Sequence, residues 1–216
     1  MPFIVEIWSD VVCPWCYLGK RRFESALSRF EHRDDVEVVW RSFELDPNAE
    51  HNPSATAAER LAAKYGMSPE DVAASHERLT GFAAEVGLEY HLDRTRGGNT
   101  FDAHRLIQLG RARGIQDAVK ERLMRAYFTD NESIDDRETL VRLAVEAGLD
   151  AEEVRAMLSS DDYADAVRED EELARRIGIN GVPFFVLGRR YGVSGAQTPD
   201  VLLEALDKSW EALAAA

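Results

Sequence analysis

Strand-forming sequence is confined to the two ends of this chain, and nearly everything between about residues 54 and 178 reads as helix, with the polar loop over 91–99 the longest break. That distribution constrains the fold more than any other feature. Residues 3–9 hold Phe3, Ile4, Val5, Ile7 and Trp8, apolar on both faces as in a buried strand of an α/β sheet. Phe23, Ala26, Leu27 and Phe30 then recur at helical spacing and predict a helix over about 17–30. Residues 36–43 return to strand composition, which completes one βαβ unit. The C-terminal end reads as a strand over 183–187, a turn at Gly188-Arg189-Arg190 and a second strand over 191–194. Thr198-Pro199-Asp200 then caps a last helix with Leu202, Leu203, Leu206, Trp210 and Leu213 inward. With the helical block removed, the remainder is βαβ followed by ββα. The expected architecture is therefore one α/β sheet domain from residues 1–50 and 179–216, with a helical insertion domain over 51–178.

Within the block, Gly66, Gly87, Gly114, Gly148 and Gly178 read as helix stops. Ser68-Pro69-Glu70-Asp71 and the spacing of Asp150 to Glu153 read as starts. Core faces are expected from Val72, Leu79, Phe82, Ala83 and Val86, from Ala103, Leu106, Ile107 and Gly110, and from Leu140, Leu143, Ala144 and Ala147. No repeat period persists across these helices, so a solenoid is not expected.

The only two cysteines, Cys13 and Cys16, stand two positions apart between the first strand and the first helix. That spacing lets two sulfurs meet across one turn. A helix N-terminus offers unpaired N–H groups and a positive dipole end, which favour thiolate at Cys13. Cys13 is the expected solvent-facing nucleophile, and Cys16, one turn in, the more buried resolving thiol. A structural zinc site needs about four ligands, and no further cysteine or neighbouring histidine pair supplies them, so no metal is expected. Inert buried cysteines are the plain alternative.

Composition narrows the partners. The net charge is −14 with no dense basic block, which argues against nucleic acid and anionic membranes. No apolar run reaches a membrane span, and the N-terminal residues do not read as a secretory signal. A cytoplasmic setting is expected, where paired cysteines are catalytic or metal-binding more often than structural.

Two stretches carry a family resemblance. They are Ser9-Asp10-Val11-Val12-Cys13-Pro14-Trp15-Cys16-Tyr17-Leu18-Gly19 and Gly181-Val182-Pro183-Phe184-Phe185-Val186, the latter running on to Gly195-Ala196-Gln197. Together with the strand order they resemble the thioredoxin fold of the DsbA family. Asn99-Thr100-Phe101-Asp102-Ala103-His104-Arg105-Leu106 in the block is similar to its FrnE-like branch. The resemblance implies a thiol-disulfide oxidoreductase that cycles Cys13 and Cys16 through a mixed disulfide with a protein or small thiol. It implies no cofactor beyond that disulfide, with glutathione as a candidate co-substrate. It also implies a cis Pro183 facing the cysteines, with Val182 offering backbone groups to substrate alongside Pro14 and Trp15. The chain departs from periplasmic members in carrying Trp15 where they have histidine. Trp15 cannot ionise, so a less acidic Cys13 and a less oxidising disulfide are expected.

Asp10 is a candidate proton relay or an ordinary turn aspartate. Asn99 and His104 are candidate cleft residues or simply the polar start of a helix. His32, His51, His76 and His91 read as surface residues. The rival enzyme class with this architecture is the glutathione-dependent transferase or isomerase of the kappa and 2-hydroxychromene-2-carboxylate type, and Cys16 argues against it. A scaffold protein is a third reading. Monomer and homodimer are both open.

Overall fold

The computed structural model describes residues 2–51 and 53–214. Strands β1 (Phe3–Ser9), β2 (Val36–Ser42), β3 (Phe184–Leu187) and β4 (Tyr191–Ser194) form one sheet in the order β2-β1-β3-β4. Strand β1 pairs in parallel with β2, and Val5 lies opposite Val38. On its other side β1 pairs antiparallel with β3, and Ile7 lies opposite Phe185. The two ends of the chain therefore share one sheet, as the composition predicts. Gly188 and Arg189, both at positive φ, turn the β3–β4 hairpin.

Helix α1 (Pro14–Arg29) begins three residues earlier than its apolar periodicity predicts. Pro14 occupies the first turn, where a missing N–H costs nothing. The next helices are α2 (Ala57–Tyr65), α3 (Pro69–Glu85), α4 (Phe101–Ala112), α5 (Gln116–Phe128), α6 (Arg137–Glu146), α7 (Ala151–Leu158) and α8 (Ala164–Arg176). The last, α9, is Pro199–Ala214. All five glycines read as helix stops have positive φ. Ser68 and Asp71 form a capping box at the start of α3, and Thr56 with Glu59 forms another before α2 that periodicity alone did not reveal.

The chain divides into two compact units, one running up to Leu45 and resuming at Glu169, the other Asp46–Arg168. The sequence places the return at 179. Hydrogen bonds account for the difference. The indole Nε1 of Trp8 donates to the Asp170 carbonyl at 2.9 Å, and the Asp170 carboxylate accepts from Arg41 Nη1 at 2.7 Å and the Ser42 N–H at 2.9 Å. The Glu44 N–H donates to Glu171 at 3.2 Å. Arg41 also pairs with Glu6. Burial works against the Arg41 charge, but Asp170 and Glu6 outweigh it and hold the guanidinium pKa above its ordinary value. The second half of α8 thus belongs with the sheet, and Ala174 packs on Trp8 with Ile179.

The same unit holds an aromatic cluster. Phe3 meets Trp210 of α9 edge-on at 5.5 Å, and His32, read from sequence as a surface residue, stacks on Trp210 at 4.1 Å. Leu213, expected inward, is 41% exposed, beyond the end of this cluster.

In the helical unit, α4 and α5 pack through Gly110, whose missing side chain leaves room for Val119. Leu106, Leu123, Leu140 and Leu143 are buried. Phe82 is 39% exposed although its spacing predicts core, because the buried stripe of α3 runs through Val72, Leu79 and Ala83. His76 is half-buried, and that burial lowers its pKa against the opposing pull of Asp93.

Candidate active site

The turn from β1 to α1 fixes the cysteines. The Cys13 N–H donates to the Asp10 carbonyl at 3.4 Å, and the Cys13 carbonyl accepts from the N–H groups of Cys16 at 2.9 Å and Tyr17 at 3.3 Å. Cys13 is thereby the N-cap of α1, with φ −88° and ψ 112°. Cys16 sits in the first turn, and both are free thiols. Open α/β sheets present their functional groups at the carboxyl ends of strands, which is where this turn lies.

The Val182–Pro183 peptide bond is cis, as the resemblance implies. The Cys13 thiol donates to the Val182 carbonyl at 3.7 Å. The Pro183 carbonyl in turn accepts from the Gly195 N–H at 2.9 Å, which ties the segment to the end of the hairpin. Pro14 is half-buried, and Trp15, between the two cysteines, is 42% exposed. Asp10, Pro14, Trp15, Val182 and Pro183 therefore share one unit with both cysteines.

Two expectations about Cys13 are corrected. Its sulfur does not face solvent, since the residue is only 4% exposed against 1% for Cys16. Its turn onto the Val182 carbonyl covers it. Nor does the helix end prevail in setting its pKa. The hydrogen bond shared with Cys16, then burial, then the charges of Cys16 and Asp10 push the Cys13 thiol well above its ordinary value, and only the Cys16 backbone N–H pulls it down. In this state Cys13 is a shielded thiol that holds its proton.

Asp10 is itself buried, and its carboxylate accepts the Leu45 N–H at 2.8 Å, so it holds the end of β2's connecting segment as well as raising Cys13. Beside it, the buried Ser9 hydroxyl has no hydrogen-bond partner among the described residues. Gly19 of α1 packs close to the Pro183 ring, a contact that cysteine spacing gave no reason to seek. A glycine inside a helix is an unfavourable choice, and that alone is a signal.

Asn99 and His104 belong to the helical unit. Asn99 donates to the Ala49 carbonyl at 3.2 Å and accepts the Phe101 N–H at 2.9 Å, so it shapes the start of α4. It also lines a cavity of about 520 Å³ with Asp102, Asp135, Arg137 and His51, the last read from sequence as a plain surface residue. His104 is buried on α4. Among the described residues, no cluster of three or more His, Cys, Asp or Glu side chains could hold a metal ion. No helix among them is long and apolar enough to cross a membrane.

A parallel βαβ unit, an antiparallel hairpin and a dithiol at the first helix define a thioredoxin-fold protein with a helical insertion. The chain belongs to the DSBA-like thioredoxin domain family, which it matches over residues 4–207. It is similar to the crystal structure of a probable DsbA oxidoreductase from Streptomyces coelicolor, at 52% identity and a TM-score of 0.94, covering 97% of this chain and 90% of that one. It shares 28% identity with the uncharacterized protein YwbO of Bacillus subtilis, over 94% of each chain. A 2-hydroxychromene-2-carboxylate isomerase shares the fold at 18% identity and a TM-score of 0.72, over 98% of each chain.

Proposed function

We propose that this protein is a thiol-disulfide oxidoreductase of the FrnE-like branch, with Cys13 as nucleophile and Cys16 as resolving thiol, working in the reducing direction. The observation that carries the reading is the pair of free thiols at the N-cap and first turn of α1, with the Val182 carbonyl against the Cys13 sulfur. An arriving disulfide takes the place of that carbonyl. The Cys13 thiolate attacks one substrate sulfur, the substrate S–S bond breaks, and the departing thiolate takes up a proton. The mixed disulfide then yields to Cys16, whose thiolate attacks the Cys13 sulfur and releases the second substrate thiol. Two electrons pass to substrate, and a Cys13–Cys16 disulfide remains. Two molecules of a small thiol such as glutathione restore the dithiol. The first forms a mixed disulfide on Cys13 and frees Cys16, and the second attacks that mixed disulfide, frees Cys13 and leaves as glutathione disulfide.

The raised Cys13 pKa supports the reducing direction. A thiolate that is poorly stabilised is a poor leaving group, so the disulfide it forms resists reduction and is a weak oxidant. Equilibration against graded glutathione ratios, read by mass spectrometry, is expected to give a potential nearer the thioredoxin value of about −270 mV than the DsbA value of about −120 mV. Insulin-disulfide reduction is expected to vanish in Cys13→Ser, and Cys16→Ser is expected to accumulate the mixed disulfide. Turnover that survives Cys13→Ser, or no reversible Cys13–Cys16 bridge, sinks the proposal. Glutathione-dependent isomerising activity that persists in Cys16→Ser would select the rival class instead.

A further inference from the structure

We infer that Gly19 is a positioning residue for the thiol site, and that its missing side chain sets how the Val182–Pro183 segment sits over Cys13. The inference rests on the thiol-exchange reading above and extends it to a residue with no reactive group. Gly19 lies inside α1, one turn beyond Cys16, and is buried. Alanine is the better helix former, so helix formation does not explain a glycine here. Its φ is not in the left-handed region, so backbone freedom does not explain it either. Packing does. A Cβ built at Gly19 stands 2.9 Å from Pro183 Cγ and 3.5 Å from both Pro183 Cβ and Ala196 Cβ. Carbon atoms pack best at about 3.5–4.0 Å, so the first of these contacts is too close to keep.

The proline has little freedom to retreat. Its carbonyl holds the Gly195 N–H at 2.9 Å, and the next residue, Phe184, pairs with Trp8 of β1. The Ala196 carbonyl is held by Arg22 Nη1 at 2.6 Å. An added methyl must therefore shift the stretch that carries Val182. The Cys13 thiol reaches the Val182 carbonyl at 3.7 Å, already long for a hydrogen bond to sulfur, so a small shift breaks it. That bond exists only while Cys13 is protonated. Losing it favours the thiolate and opens a path to the sulfur.

The test measures initial alkylation of Cys13 by iodoacetamide at pH 7 in the fully reduced full-length protein, resolved by peptide mass spectrometry. Gly19→Ala is expected to raise the Cys13 rate about threefold to tenfold, the effect of removing one modest hydrogen bond. Gly81→Ala is the control. Gly81 is also a helical glycine, in α3, with nothing within 4 Å of an added Cβ, and its rate is expected to match wild type. A folded Gly19→Ala protein that reacts within twofold of wild type overturns the inference. If Gly19→Ala does not fold, the comparison moves to Pro183→Ala, which removes the clashing Cγ. In that background Gly19→Ala is expected to change the rate less than twofold, and a larger change overturns the inference. Alkylation requires no redox cycling. A protein that never closes the Cys13–Cys16 bridge thus refutes the exchange reading while this measurement still decides the role of Gly19.

Discussion

Replacing Asp170 with alanine removes the acceptor for two donors at once, one buried and one partly buried. The Ser42 N–H, on a buried residue, loses its 2.9 Å partner, and an unsatisfied buried amide costs about 1–3 kcal/mol. Arg41 loses its 2.7 Å contact but keeps Glu6, and its side chain is 19% exposed. Complete removal of a buried charge partner costs about 3–5 kcal/mol; with one carboxylate left and some solvent access, about 1–2 kcal/mol applies here. The expected loss is about 2–5 kcal/mol, a large share of a typical stability of about 5–15 kcal/mol. With a urea slope of about 2 kcal/mol/M, the midpoint falls by about 1–2.5 M. Trp8, whose indole donates to the Asp170 backbone, reports the transition by fluorescence. Asp170→Asn keeps one carbonyl for Ser42 and is expected to lose about half as much. A loss under about 1 kcal/mol for Asp170→Ala would refute the view that this carboxylate anchors α8 to the sheet.

Stability of the reduced protein should fall with alkaline pH. The Cys13 pKa is raised by its hydrogen bond with Cys16 and by burial, so the folded state keeps its proton where the unfolded chain releases it. The contribution is fully present below the unfolded thiol pKa of about 8.5 and is lost as pH rises from there toward the folded value. Urea titrations of wild type minus Cys13→Ala between pH 7 and 9.5 measure it, and a pH-independent difference would contradict the burial argument. In the helical unit, Gly98→Ala drives a Cβ into the Asp135 carboxylate, which Ser133 holds at 2.7 Å. The expected cost is about 1–3 kcal/mol, read as a drop in Tm of about 3–10 °C, and an unchanged Tm would show that the loop yields freely.

The sequence was most readable where one residue type has one physical job. Helix-ending glycines show in the chain because only they turn left at low cost, and the apolar run of β1 shows because both of its faces are covered. The sulfur pair and the proline segment were visible as motifs. Harder to read were features set by distant partners. Asp170 lies in a charged helical stretch, and nothing local says that its carboxylate serves Arg41 and Ser42. Phe82 and Leu213 fit an apolar spacing but lie at the margin of their buried stripes. The shielding of Cys13 involves Val182, far along the chain, and the reversal of the pKa expected from a helix end comes first from the hydrogen bond with Cys16 and then from burial, neither of which spacing alone reveals. Gly19 left only the trace of a poor helix former in a helix.

Strand β1 lies between β2, which follows it closely, and β3, which comes after the whole helical unit. Synthesis therefore delivers Cys13 early and its cover late. While the ribosome is still adding the middle of the chain, Cys13 has no Val182 carbonyl to donate to, and the contiguous stretch Asp46–Arg168 can pack before the sheet closes. Any oxidant met in that interval encounters a naked thiol, so arrested nascent chains cut short before Val182 should be the most readily glutathionylated form of this protein.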